Sequence, residues 1–290
     1  MRLPRLALLP LALTACAETG GGTSGVSEGG YITELPEGVL ALVAPWLSPF
    51  DPETPDWNAV LQPPSLASGH WFGTDAIGRD IFVRSFLGLR LSLLIGLLAT
   101  AMALLIGLCW GAVAGYFGGR LERLLMRLLD VFSALPFLLL VILLLALFGR
   151  SFALLLVAIG GYVWIELARV VRAEAARLRG QPFVTAAVVA GASPWQVLRW
   201  HLLPNLLGLA LVYASLIAAN AVLIESFLGF LGLGVAEPAS GLGSLLHDGS
   251  QELDQAPWTL LFPAVLLVAT LACFQQLGDA LRDAMDPRRQ

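Results

Sequence analysis

Five stretches almost free of charge dominate this chain and dictate what it can become. They are 91–119, 131–149, 151–165, 202–236 (interrupted only by Glu225) and 255–278. A bilayer core about 30 Å thick takes about 20 apolar helical residues. Lipid offers no partner for backbone N–H and C=O groups, so each run must close its hydrogen bonds internally, as a helix. The reading is an all-α, polytopic membrane protein with five spans, the third continuing past Glu166 to Ala168. Only 13% of the 290 residues are charged, about half of what a soluble domain carries. That excludes an ordinary soluble enzyme, a disordered chain and a nucleic-acid-binding domain. The cysteines, Cys16, Cys109 and Cys273, are too few and scattered for a disulfide framework or a metal site.

The scarce charges set the orientation. Arg120, Arg123 and Arg127 follow the first run, and 169–205 holds Arg169, Arg172, Arg177, Arg179 and Arg199 against Glu174 alone. The tail adds Arg282, Arg288 and Arg289, whereas 231–257 has no arginine and carries Glu237, Asp248, Glu252 and Asp254. Residues 17–86 hold nine acids against Arg79 and Arg84. Positive charge gathers on the cytoplasmic side. This predicts 116–127, 169–205 and 279–290 inside, with 17–86 and 231–257 outside.

The chain begins with two arginines, an apolar stretch Leu6–Leu13, then Thr14-Ala15-Cys16. That pattern describes a signal peptide rather than a span. Leu13-Thr14-Ala15-Cys16 also resembles the lipobox of bacterial lipoproteins, which would make Cys16 a lipidation candidate. The alternative is a short uncleaved anchor or a misassigned start. A Gly/Ser/Thr-rich tether follows over 19–30. Three regions result: 1–16, an extracytoplasmic linker and motif region 17–86, and a transmembrane domain 87–290.

Within the richest arginine segment, Pro182 suits a helix start, Phe183–Ala190 reads as a short helix and Gly191 permits a turn. Ser193-Pro194 can cap and begin a second helix, and Pro204-Asn205 punctuate before the next span. So many apolar residues on a cytoplasmic helix pair suit either another protein's groove or the membrane surface.

The spacing then carries a resemblance. Thr185-Ala186-Ala187, Gly191 after three intervening residues, and His201-Leu202-Leu203-Pro204 after nine more resemble the EAA loop of ABC-importer permeases. Thr185 stands where that family often has Glu. Gly73-Thr74-Asp75-Ala76-Ile77-Gly78-Arg79-Asp80, after Pro63-Pro64-Ser65 and His70, resembles an outside signature of the second (C-type) permease of dipeptide, oligopeptide and nickel importers. Gly115–Gly119, Asp130–Pro136, Trp164 with Ala168, Arg169 and Arg172, Glu225–Gly234, Ala256-Pro257-Trp258 and Leu277–Asp283 with Asp286-Pro287-Arg288 are similar in the same order. The family's usual first span is missing here, Val39–Leu47 being a remnant at most, and Leu242 stands where a Trp is common.

The resemblance implies a type I permease-like helical bundle in a bacterial inner membrane. It implies a homologous second permease, two cytoplasmic ATPase subunits and an outside substrate-binding protein as partners, with lipid around it. ATPase coupling falls to Phe183, Thr185, Ala186, Ala187, Gly191, Ala192, Ser193, His201, Leu203 and Pro204. The cargo would be peptides or related solutes, nickel included. The chain itself would be no enzyme and need no cofactor. The other reading is a degenerate permease kept as a membrane scaffold.

Individual residues leave alternatives open. Gly73, Thr74, Asp75, Gly78, Arg79 and Asp80 form either a gate or binding-protein contact, or a tight turn whose Asp75 and Asp80 cap a helix from Ile81. Glu225 faces either the pathway, to meet a cargo ammonium, or backbone N–H groups loosened by the glycines at 229–234. Intramembrane charge needs a partner: Asp130 is expected to pair with Arg127 or Arg123, and Glu166 with Arg169. Trp46, Trp71, Trp110, Trp164 and Trp258 are expected in interfacial aromatic belts.

Overall fold

A computed structural model describes residues 48–236 and 239–285. The signal-like segment with Cys16, Val39–Leu47, Trp46, Glu237 and Asp286-Pro287-Arg288 lie outside the described residues. Within them the secondary structure is helical: α1 Ile81–Phe117, α2 Gly119–Ala134, α3 Phe137–Phe148, α4 Phe152–Arg179, α5 Pro182–Val189, α6 Pro194–Val197, a π turn Leu198–Leu202, α7 Leu203–Phe230, α8 Leu242–Gln251 and α9 Trp258–Met285. Extended pairing is limited to one isolated bridge, Thr74 with Asp80.

Among the described residues four helices are long and apolar enough to cross a membrane: Ile81–Phe117, Phe152–Arg179, Pro194–Phe230 and Trp258–Ala284. The second charge-free run behaves differently from the single span expected at 131–149. Its first residues belong to α2, Leu135 is extended, and α3 starts only after Pro136. The two helices meet at 73° and would add a fifth span only if the bent pair crosses as one. Proline removes a backbone donor and disfavours helix at the residue before it, so the break falls where the sequence puts Pro136. The arginines at 120–127, expected in a loop, sit on α2.

The contacts divide the chain into two compact units, residues up to Leu93 with Ser226–Leu277, and Leu94–Glu225 with the residues from Gly278 on. The first is built on aromatic packing. Phe82, Val83, Phe86, Leu89 and Leu242 are buried together with Phe72 against them, and Phe72 stacks on Phe262 at 4.0 Å. Helix α8 is held by close backbone approach: a Cβ at Gly243 would lie 2.0 Å from the Ser226 carbonyl, and one at Gly249 2.6 Å from the Leu260 nitrogen.

The second unit is organised by α1 against α4. Cβ atoms at Gly107, Gly111 and Gly115 would lie 2.9, 2.5 and 2.3 Å from the carbonyls of Trp164, Ala168 and Arg172. Small residues every four positions let two helices approach in lipid, where association depends on packing rather than on the hydrophobic effect. The same face of α4 buries Ile159, Val163, Leu167, Ala168, Val171 and Ala175. Trp110 and Trp164 meet edge to face at 5.3 Å, and Trp164 Nε1 donates to the Gly161 carbonyl. Interhelix packing, not only an aromatic belt, therefore fixes these two indoles.

Candidate functional site

The Gly73–Asp80 segment folds as a knot around Asp75. One oxygen of its carboxylate accepts the backbone N–H groups of Ile77 (3.0 Å) and Arg79 (2.8 Å). The other accepts from Arg79 Nε (2.8 Å) and Arg84 Nη1 (2.6 Å). A buried carboxylate costs little only when charge and hydrogen bonds compensate it, and here four donors do. Thr74 Oγ1 accepts from Gln62 N–H (2.8 Å) and donates to the Ala59 carbonyl. Asp80 takes the expected role of an N-cap, Oδ1 accepting from Val83 N–H at 2.9 Å, while Oδ2 meets His70 Nδ1 at 2.8 Å. His70 is stacked on Phe50 at 4.1 Å.

The knot is also tied to α8 and α9. Arg84 Nη2 reaches Ser240 Oγ (3.5 Å) and Asp248 (3.8 Å), and Trp258 Nε1 donates to the Thr74 carbonyl at 3.2 Å. Trp258 thus serves as a bolt in this unit rather than only as a belt residue. The sequence counted Arg84 as a bare charge and missed its neighbours Ser240 and Asp248, and missed Trp258 as the partner of Thr74, because no spacing rule links residues 156 or more positions apart. Gly78, at φ +80°, presses on the Asp56 carbonyl so closely that a Cβ would lie 1.8 Å from it. Glycine is the residue that tolerates both constraints.

Glu252 completes the cluster, accepting from Ala76 N–H at 3.2 Å. Burial, with Asp75 and Asp248 nearby, holds its carboxyl above the usual glutamate range, and Oε2 is buried with no hydrogen bond. A carboxyl whose folded value is raised favours folding below its unfolded value, and that contribution is lost as pH rises through the folded one. The expected result is that Glu252→Gln, which keeps an acceptor for Ala76, raises thermal stability at neutral pH. Its advantage should vanish near the ordinary glutamate pKa. Melting curves of the purified chain across that range check this, and a constant offset at every pH contradicts it.

The cytoplasmic segment expected to couple is equally defined. Helix α5 starts with Pro182 at its first turn. It ends in a complete Schellman closure: Gly191 N–H donates to Val188 O and Ala192 N–H to Ala187 O, both 3.0 Å, with Gly191 at φ +88°. Ser193 then caps α6 by a reciprocal box, its N–H donating to Gln196 Oε1 at 2.7 Å and its Oγ accepting from Gln196 N–H. Val184, Val197 and Leu198 are buried, whereas Phe183, Val188, Val189 and Trp195 are exposed, Val189 by 83%. Thr185, Ala186 and Ser193 are exposed too, with Ala187 and Ala192 partly covered. The expected punctuation at Pro204 is absent. The helix runs on through the π turn, where Leu203 N–H reaches back to Leu198 O. A wider turn before a proline accommodates its missing donor, and Asn205 Nδ2 donates to the His201 carbonyl at 2.6 Å. Leu203 opens α7 beside it.

Two expectations change. Asp130 pairs with Arg169 at 3.1 Å, across helices, not with Arg127 or Arg123 on its own. Arg169 also donates to Ser133 Oγ at 2.8 Å, so two acceptors on α2 outcompete Glu166, which is exposed. Glu225 is buried, only 2% exposed. Leu242, where a Trp was common, is buried in the aromatic core.

The comparisons agree on one family. Residues 107–290 match the model described as binding-protein-dependent transport system inner membrane component. The chain is 46% identical to the oligopeptide transport system permease protein OppC of Haemophilus influenzae, over 86% of this chain and 80% of that protein. It is 44% identical to OppC of Escherichia coli K12, over 86% and 83%. It is 39% identical to the dipeptide transport system permease protein DppC of Bacillus subtilis, over 86% and 78%. A chain of the MetNI methionine ABC transporter, solved in inward-facing conformations, superposes with a TM-score of 0.57 at 22% identity, over 69% of this chain and 95% of that one. This last likeness bears on the fold alone.

Proposed function

We propose that this chain, which belongs to the family of binding-protein-dependent transport system inner membrane components, is the permease subunit of an ATP-driven importer of peptides. The relatives named for oligopeptides and dipeptides support a peptide cargo over nickel. By this reading the chain pairs with a second permease, takes cargo from an outside binding protein and docks an ATPase subunit at 183–204. Its C-terminus lies in the cytoplasm. ATP chemistry belongs to the partners. Closure of the ATPases pushes α5, and rocking of the helices switches access from outside to inside.

The observation that carries the coupling role is the division of labour on α5 and α6. Val184, Val197 and Leu198 anchor the pair, while Phe183, Val188, Val189 and Trp195 present an uncovered apolar face. A short helix with such a face suits a groove in a partner. The test is a set of chains with single cysteines along 183–195, Val189→Cys first, each in vesicles with its ATPase and binding protein and cross-linked to single cysteines in the ATPase. Nucleotide-dependent cross-linking together with peptide uptake is the expected result. Uptake with no cross-link anywhere along 183–195 defeats the assignment of this segment.

A further inference from the structure

Helix α2 has a face that the proposed function leaves unused. Of its 16 residues, Leu129 alone is buried. Leu121, Leu124, Leu128, Val131 and Phe132 are exposed. At about 100° per residue they share one arc, with Arg120, Arg123 and Arg127 along its edge. Both acids of α2 are spent on α4: Glu122 accepts from Arg172 Nη2 at 2.5 Å and Asp130 from Arg169 at 3.1 Å. Arg123 Nε donates to the Gly119 carbonyl. Among the described residues none of the three arginines meets a carboxylate. An apolar arc bordered by unneutralised arginines fits an anionic bilayer surface.

The backbone leaves α2 free to lie there. The chain turns by 73° between α2 and α3. Helix α3 has 12 residues, rising about 18 Å. Leu135, Pro136 and Ser151 are extended on either side of it. The bend separates the direction of α2 from that of α3, so α2 need not follow α3 across the core.

We propose that α2 lies flat in the cytoplasmic membrane interface and docks on anionic lipid headgroups through Arg120, Arg123 and Arg127, with Leu121, Leu124, Leu128, Val131 and Phe132 in the upper acyl region. The proposal rests on the cytoplasmic placement of 116–127 given above. Reactivity of an Arg120→Cys chain toward an impermeant thiol reagent tests that placement by itself, and reaction from the outside overturns both.

The lipid contact is tested on the assembled importer, its three native cysteines replaced by serine. The bilayer is phosphatidylcholine with about 30% phosphatidylglycerol. Nitroxides at Leu124→Cys and Leu128→Cys should be accessible to oxygen and lie at one shallow depth. Each arginine near an anionic surface is worth roughly a fivefold preference. Changing all three to glutamine should therefore lower phosphatidylglycerol over phosphatidylcholine retention, read by native mass spectrometry, roughly tenfold or more, while lysine replacements retain it. Labels at unequal depths, following a helix that crosses, overturn the proposal. So do labels shielded from oxygen and cross-linked to the second permease, or an unchanged lipid preference in the glutamine variant.

Discussion

Replacing Gly191 by tryptophan is expected to lower peptide uptake by roughly one to two orders of magnitude while the chain still accumulates in the membrane and the assembled ATPases still hydrolyse ATP. The expectation comes from where the glycine sits. Its backbone closes α5 in the left-handed region, at φ +88°, where a side chain costs roughly 1–2 kcal/mol. A Cβ built there meets nothing within 4 Å. The indole therefore adds bulk to the exposed end of α5 with a modest penalty to folding, at the segment proposed to dock the ATPase. Losing about 1.4–2.7 kcal/mol of coupling lowers uptake roughly 10- to 100-fold. Asparagine tolerates this backbone region and is small, so Gly191→Asn should transport nearly normally. Parallel uptake and ATPase assays in reconstituted vesicles decide the matter. Normal uptake by a well-expressed tryptophan variant removes α5 from the coupling path.

How much of this was legible beforehand depended on the range of the interaction. The start of α1 at Ile81 and the turn at Gly191 rest on local chemistry: an Asp cap, a positive-φ glycine, a Ser-Pro cap. Residues one to four apart encode them. The break at Pro136 was encoded just as locally, yet a charge count over 131–149 passes through it because proline is uncharged. The contacts that organise the two units were out of reach for a different reason. Gly107, Gly111 and Gly115 form an i, i+4, i+8 stripe that can be read in sequence, but their partners on α4 cannot. Arg169 offered two carboxylates, and only packing decides for Asp130 over Glu166. Trp258 against Thr74 spans 184 positions, and a lone tryptophan beside an apolar run points first to an interface.

Asp75→Ala is expected to be the most damaging single change in the first unit, and it separates the two readings of the Gly73–Asp80 segment. The variant takes from Arg84, whose side chain is 5% exposed, its nearest carboxylate, leaving Asp248 at 3.8 Å, and frees the N–H groups of Ile77 and Arg79. Breaking a buried pair by removing one partner costs about 3–5 kcal/mol, because the other charge stays behind uncompensated. A marginally stable protein rarely survives that loss, so the variant should fail to accumulate. Removing the arginine charge as well, in Asp75→Asn with Arg84→Met, should restore much of the level, since an amide still accepts from backbone and no buried cation remains. A recovery beyond the sum of the single effects identifies the pair as coupled. Uptake by the rescued double variant then carries the functional question. If the segment serves chiefly as a clamp on α8 and α9, transport returns with accumulation. If the charges themselves act as a gate or meet the binding protein, the protein returns and transport does not. A double variant no more abundant than Asp75→Ala contradicts the clamp, since the backbone knot and the Trp258 bond to Thr74 are left intact in it.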